Sequence, residues 1–185
     1  MRTIVCLCVF VLSTALSGAA FSGAQIKQYV NTQYGFRFSY PASWVSVEGG
    51  VEGTQVMLVS GEETGASCSV VVAEFAQLRG LSRLQLDQLL QKSSFNREYW
   101  LLEHKNFTNV LIEEMGVTQL LTSKGQYVLS SFEHNLMGKI KHIKSYTVVT
   151  YANGASIVLT CSAHEKYFDS AKPVLLMVIG TFILD

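Results

Sequence analysis

Asn153-Gly154 restricts this chain most, because it sits between two runs rich in β-branched and aromatic residues, Tyr146 to Tyr151 and Ser156 to Cys161. Asn and Gly both tolerate the positive φ of the two-residue turns that join right-twisted strands, so the two runs are expected to be antiparallel neighbours. Ser123-Lys124-Gly125 and the Asn135 to Gly138 segment read as two more turns in a chain that resumes strand character at Phe107. The second half is therefore expected to be an antiparallel meander.

The first half adds shorter strands. Phe36, Phe38 and Tyr40 alternate with Arg37 and Ser39 and stop at Pro41, the pattern of a half-buried strand ended by a turn former. Trp44, Val45 and Val47 begin another strand, and Val56 to Val59 form a third. Cys68 to Phe75 is apolar at both parities through Val70, Val71, Val72 and Ala73, which predicts a central strand covered on both faces.

Two segments change to helical period. Ser82 and Gln85 make an S-x-x-Q capping box with Leu81 and Leu86 at the staple positions, so a helix is expected to start at Ser82 and to weaken at Ser93-Ser94 and Asn96. Leu86, Leu89 and Leu90 give it one apolar face. Phe168, Ala171, Leu175, Val178 and Phe182 follow steps of three and four, the stripe of a C-terminal core helix with Pro173 in its first turn or two. The apolar run Pro173 to Leu184 falls well short of the roughly 20 residues that span a bilayer.

Residues 1–24 differ from everything after them. Arg2 gives a basic start, Ile4 to Leu16 is almost wholly apolar, and Ser17 to Ala24 is rich in small residues, which is the anatomy of a secretory signal peptide. Ser22-Gly23-Ala24 fits the small-x-small cleavage rule and places the mature start at Gln25, with Gly18-Ala19-Ala20 offering a second cut before Phe21. The apolar run is too short for an anchor helix that spans a bilayer, so cleavage and export to the periplasm or the extracellular space are expected, with no membrane span afterwards. Cys6 and Cys8 lie in the wrong context for lipidation.

Cleavage leaves 161 of the 185 residues, 13 basic against 14 acidic groups, and two cysteines, Cys68 and Cys161. In an oxidising compartment these two form a disulfide or remain two separate buried thiols, and the sequence leaves both open. No linker, charge block or repeat divides residues 25–185, which are therefore expected to form a single α+β domain. The balanced charge removes the footprint of a general nucleic-acid binder.

Tyr34-Gly35-Phe36-Arg37-Phe38-Ser39-Tyr40-Pro41-Ala42-Ser43-Trp44 resembles the aromatic opening of the PsbP-like and DcrB-like families. Ser156 to Phe182, with Phe168, Pro173 and Thr181-Phe182, is similar to their ending, so the likeness covers about residues 30–184. The resemblance implies an α-β-α sandwich around an antiparallel sheet, used as an extracytoplasmic accessory of a larger, often membrane-associated complex. Its photosynthetic case is the extrinsic subunit of photosystem II. The simple signal lacks the bipartite transit sequence of an organelle and a lipobox, which leaves the photosystem reading an alternative. The matched residues themselves supply core surface and turns, not catalytic groups.

Catalytic motifs are scarce. G-x-S-x-G, H-E-x-x-H, P-loop, C-x-x-C and G-x-G-x-x-G patterns do not occur in the mature chain, so no catalytic residue and no cofactor is expected, and a hydrolase would have to assemble its site in three dimensions. Glu62-Glu63 and Glu113-Glu114 are adjacent carboxylates that, on strands, point to opposite faces and read as solvated surface rather than acid-base pairs. Lys139, Lys141, His142 and Lys144 concentrate cations at one end of a hairpin. This patch reads either as edge protection or as a docking surface for an acidic protein or anionic lipid head groups; without interleaved aromatics it does not suit nucleic acid. His134 and His142 face each other if the hairpin is centred on Gly138, whereas a one-residue shift pairs His142 with Glu133. Two imidazoles leave a tetrahedral metal site short of ligands, so no metal is expected. Asn106-Phe107-Thr108 is a sequon expected to lie in a loop before a strand and to stay unmodified in a bacterial host.

Overall fold

The computed structural model describes residues 25–136 and 138–185; the expected signal peptide, residues 1–24, lies outside the described residues. In chain order the elements are β1 (Ile26–Asn31), β2 (Phe36–Pro41), β3 (Val45–Ser46), β4 (Thr54–Val59), β5 (Ser67–Glu74), α1 (Arg83–Lys92) and α2 (Arg97–Glu103). They continue with β6 (Thr108–Gln119), β7 (Lys124–Leu136), β8 (Lys139–Ala152), β9 (Ala155–His164), α3 (Phe168–Gly180) and β10 (Ile183–Leu184). Seven strands form one sheet in the order β3-β4-β5-β9-β8-β7-β6, and β1-β2-β10 form a second, smaller one. Every strand pair is antiparallel. The fold is α+β, with helices on both faces of the large sheet.

The expected meander is present as β6-β7-β8-β9. Ala152 pairs with Ala155, so Asn153 and Gly154 alone close the turn, at φ of 48° and 78°. The expected turn at Ser123-Lys124-Gly125 lies earlier in the chain. Lys124 and Gly125 belong to β7, and the loop is residues 120–123, closed by the Leu120 amide donating to the Ser123 carbonyl at 2.8 Å. Gly125 is glycine because of packing: a Cβ there would meet Val148 Cγ1 at 2.7 Å.

Ser82 caps α1 with its hydroxyl accepting from the Gln85 amide, and the Gln85 side chain accepts from the Ser82 amide, the expected capping box. The chain breaks at Ser93 and restarts at Asn96, whose side chain caps α2 by accepting from the Tyr99 amide at 2.9 Å. Leu86 and Leu90 are buried, while Leu89 stays partly exposed.

The main core lies between one face of the large sheet and the layer made by α3 and the small sheet. Phe168, Ala171, Leu175 and Val178 of the α3 stripe are buried there with Phe36, Phe38 and Phe182, and Phe182 stacks on both other phenylalanines at 5.4 and 6.0 Å between ring centroids. From the large sheet come Val70 and Val72, the alternate β9 residues Ile157 and Leu159, and Val148. A smaller core of Leu90, Trp100, Ile112, Val128 and Val149 lies under α1 and α2 on the opposite face.

The two covers differ in extent, which corrects the reading of β5. Cys68, Val70 and Val72 are buried, but Ser67, Ser69 and Val71 are only half-buried, because α1 and α2 contact β6, β7 and β8 and stop short of β5. The middle strand is β9. The strand expected at Trp44 to Val47 is reduced to Val45–Ser46. Among the described residues no helix is long and apolar enough to cross a membrane.

Candidate functional site

The β7–β8 hairpin reaches beyond both of its neighbours. The outermost pairing to β6 is Thr108 with Glu133, and the outermost to β9 is Ile143 with His164. Past these, His134 pairs with Lys141, Asn135 with Ile140 and Leu136 with Lys139, making a two-stranded ribbon with no third strand on either side among the described residues. Both edges therefore keep free backbone donors and acceptors. The Asn135 side chain accepts from the Gly138 amide at 3.0 Å, and Gly138 supplies the positive φ of the turn, 78°. Leu136 and Ile140 are exposed, at 46% and 62%.

This register separates the two histidines. Leu136 and Lys139 pair directly, so the hairpin is not centred on Gly138 and His142 lies opposite Glu133, with Nδ1 3.6 Å from the carboxylate. Glu133 is held by Asn109, whose side-chain amide donates at 2.8 Å. His134 points to the other face and sets its ring edge against Phe107, centroids 5.1 Å apart. Among the described residues no three His, Cys, Asp or Glu side chains group as potential metal ligands.

The four cations of the expected patch do not act together. Lys144 is committed to the body of the molecule: its Nζ lies 2.6 Å from Glu113 and 5.4 Å from the centroid of the Phe168 ring. His142 leans on Glu133. Among the described residues, Lys139 and Lys141 have no ion-pair partner. Beside the foot of the ribbon is a cleft of about 530 Å³ lined by Ile140, His142, His164, Glu63, Lys166 and Tyr167. The Tyr167 hydroxyl donates to Glu63 at 3.3 Å, and Lys166 lies 4.4 Å from the centroid of the same ring.

The carboxylate pair on β6 also differs from expectation. The register shifts between Ile112 and Glu114, and this bulge breaks the alternation that would send neighbouring side chains to opposite faces. Glu113 takes Lys144, and Glu114 accepts from the Tyr127 hydroxyl, both on the α3 side. That hydrogen bond to Glu114 holds the Tyr127 phenol above its ordinary pKa.

Cys68 and Cys161 are direct cross-strand partners on β5 and β9, with Cα atoms 4.1 Å apart and a disulfide joining them inside the main core. On the opposite face, sequence reasoning missed a row of hydroxyls. Ser130, Ser145, Ser162 and Ser67 are register partners across β7, β8, β9 and β5. The row ends on His104, whose Nδ1 is 2.7 Å from the Trp100 carbonyl and whose Nε2 is 3.0 Å from Ser130 Oγ. A carbonyl only accepts, so Nδ1 carries the proton, Ser130 donates to Nε2, and Ser145 donates to Ser130 at 3.1 Å. A serine donating to an imidazole nitrogen is the arrangement of a base-activated nucleophile. Here Ser130 is wholly buried and His104 is packed against Phe107 and Phe132, so no substrate reaches the pair. The row's one sequence signal was the spacing of its serines about two turns.

The sequence profile of the PsbP family matches residues 24–184. Among solved structures, cyanobacterial PsbP (CyanoP) from Synechocystis sp. PCC 6803 is similar to this chain with a TM-score of 0.56 and 18% identity, over 91% of this chain and 98% of that one. LpqN of Mycobacterium tuberculosis, described as involved in cell envelope biogenesis, gives a TM-score of 0.54 and 13% identity over 88% and 91%. At such identities these likenesses show the fold alone. Comparison with the curated proteins found no match.

Proposed function

The chain belongs to the PsbP family, and on that premise we propose that it is a non-enzymatic, exported accessory module that docks on a larger, membrane-associated protein complex through the β7–β8 ribbon. The observation that carries the reading is the ribbon itself: one face carries the exposed Leu136 with Lys139 and Lys141, which have no ion-pair partner among the described residues, the other face carries the exposed Ile140, and the segment has open edges. Such a segment suits a protein surface with an acidic rim around an apolar recess, and its edges offer backbone pairing to an extended partner segment. The lysines also guard those edges against unspecific pairing, so protection and selective docking are compatible uses of the same charges. Export is supported by the signal anatomy of residues 1–24 and by a disulfide in the mature domain. The photosystem II alternative has fold likeness behind it and no feature of this chain's own residues.

A photo-crosslinking side chain at Leu136, on the face of Lys139 and Lys141, introduced into protein exported in its native host, tests the reading. It is expected to capture a discrete envelope protein at that position, and Lys139→Glu with Lys141→Glu is expected to reduce capture by about tenfold or more. Undiminished capture by the charge-reversed protein, or crosslinks that form only from a control position on α3, would refute docking by the ribbon.

A further inference from the structure

A second concavity lies away from the ribbon and shares no residue with it. It opens between the sheet and the α1–α2 layer, has a volume of about 470 Å³, and is walled by Phe75, Leu78, Phe95, Tyr99 and Tyr151, with Glu103 among the residues at its lining. Three features define its chemistry. Four of those wall residues are aromatic, and their ring faces carry negative charge density that attracts cations. Among the described residues Glu103 is the lone formally charged lining group, no Lys, Arg or His lines the cleft, and Glu103 has no ion-pair partner. Phe75 and Leu89 are 40% and 37% exposed at the lining, so the cleft is open to a ligand.

Among the described residues four carboxylates pair with Lys or Arg: Asp185 with Arg37, Glu74 with Arg79, Asp87 with Arg83 and Glu113 with Lys144. Glu103 is among the carboxylates without such a partner among the described residues, and it lies at the lining of a cleft walled by aromatic rings. Its charge is felt there: burial first, then Glu103 and Tyr151, push the Tyr99 phenol up to about 12.

We propose that this cleft binds a small organic cation, an amine or quaternary ammonium carried on an aromatic or branched apolar body, with the body among Phe75, Phe95 and Tyr151 and the positive centre beside Glu103. An anionic ligand of the same shape meets Glu103 and the ring faces with the wrong sign, and a neutral one gains the apolar contact without the charge.

Three soluble probes of equal shape separate these cases: phenethylammonium, phenethyl alcohol and 3-phenylpropionate, each titrated into the isotopically labelled mature domain while its amide resonances are followed. Phenethylammonium is expected to bind about fivefold or more tightly than the alcohol, with shifts centred on residues 93–103 and 149–156, and 3-phenylpropionate is expected to bind most weakly. Glu103→Gln replaces an exposed side chain by its neutral isostere, keeps the fold, and is expected to bring the ammonium to the affinity of the alcohol. Equal binding of ammonium and alcohol to the unaltered protein, shifts centred elsewhere, no binding up to about 10 mM, or an ammonium preference that survives Glu103→Gln would each overturn the proposal.

Discussion

The two faces of the seven-stranded sheet are built on different principles. On the α3 side a continuous layer of Phe36, Phe38, Phe168, Leu175 and Phe182 meets residues of five adjacent strands, β4, β5, β9, β8 and β7, and a disulfide sits within that layer. On the other side two short helices cover one half of the sheet, a five-residue core fills the space beneath them, and the uncovered half carries serine and threonine. Hydrophobic burial needs a cover, so where α1 and α2 stop, the strand residues change from Val149 and Val128 to the Ser67, Ser69, Thr160 and Ser162 array. The first face supplies stability. The second leaves an aromatic cleft and a polar surface free for other uses.

The largest expected effect is on the disulfide, which pins the α3 face across a sequence separation of 93 residues. Reduction of a protein made of residues 25–185 should cost about 4 to 5 kcal/mol in the chain-entropy account. Urea unfolding with and without dithiothreitol checks this, and unchanged midpoints would remove the disulfide from the contrast. Next, Leu175→Ala and Leu90→Ala delete the same atoms from two positions with no exposure, one on each face. We expect about 4 kcal/mol for Leu175 and about 2.5 kcal/mol for Leu90, whose small core borders a cleft and can relax. Equal losses in chemical denaturation would show that the two cores are equivalent. A smaller effect is expected at Ser130→Ala, which leaves His104 Nε2 buried without a donor, at about 1 to 2 kcal/mol. The smallest is Ser67→Ala, at the exposed end of the same row, where water replaces the lost partner of Ser162: less than about 0.5 kcal/mol. If the two serines cost the same, burial is not what distinguishes the ends of the row.

Local signals proved readable wherever one or two residues carry the whole physical reason. Ser82 with Gln85 starts α1, Asn153-Gly154 turns β8 into β9, and the 3.6-residue stripe from Phe168 to Val178 faces the core. Features that depend on a count along two strands were less readable. The ring pair His134 and His142 looked equally compatible with two registers, and the one adopted places Glu133 opposite His142. The bulge at Ile112 to Glu114 put both adjacent glutamates on one face instead of opposite faces, since alternation holds only while the ladder is regular. The patch at Lys139 to Lys144 was visible as charge, but its division into bound and free cations was not, because Glu113 reaches Lys144 from a strand 31 residues away in sequence.

By itself the sequence determined the class of fold, the meander, the start of α1 and the PsbP resemblance, because each follows from steric and hydrophobic preferences acting over a few consecutive residues. Only the tertiary structure decided which strand lies in the middle, how far each helical layer extends, and which polar groups meet. Val71 is apolar in a strand of apolar residues, yet it is half-buried, because coverage is a property of α1 and α2 and their lengths rather than of Val71. The ribbon follows the same logic. No residue between His134 and Lys141 states that β6 and β9 end beside it; that is fixed by Thr108 and His164, from strands whose ends are set elsewhere in the chain.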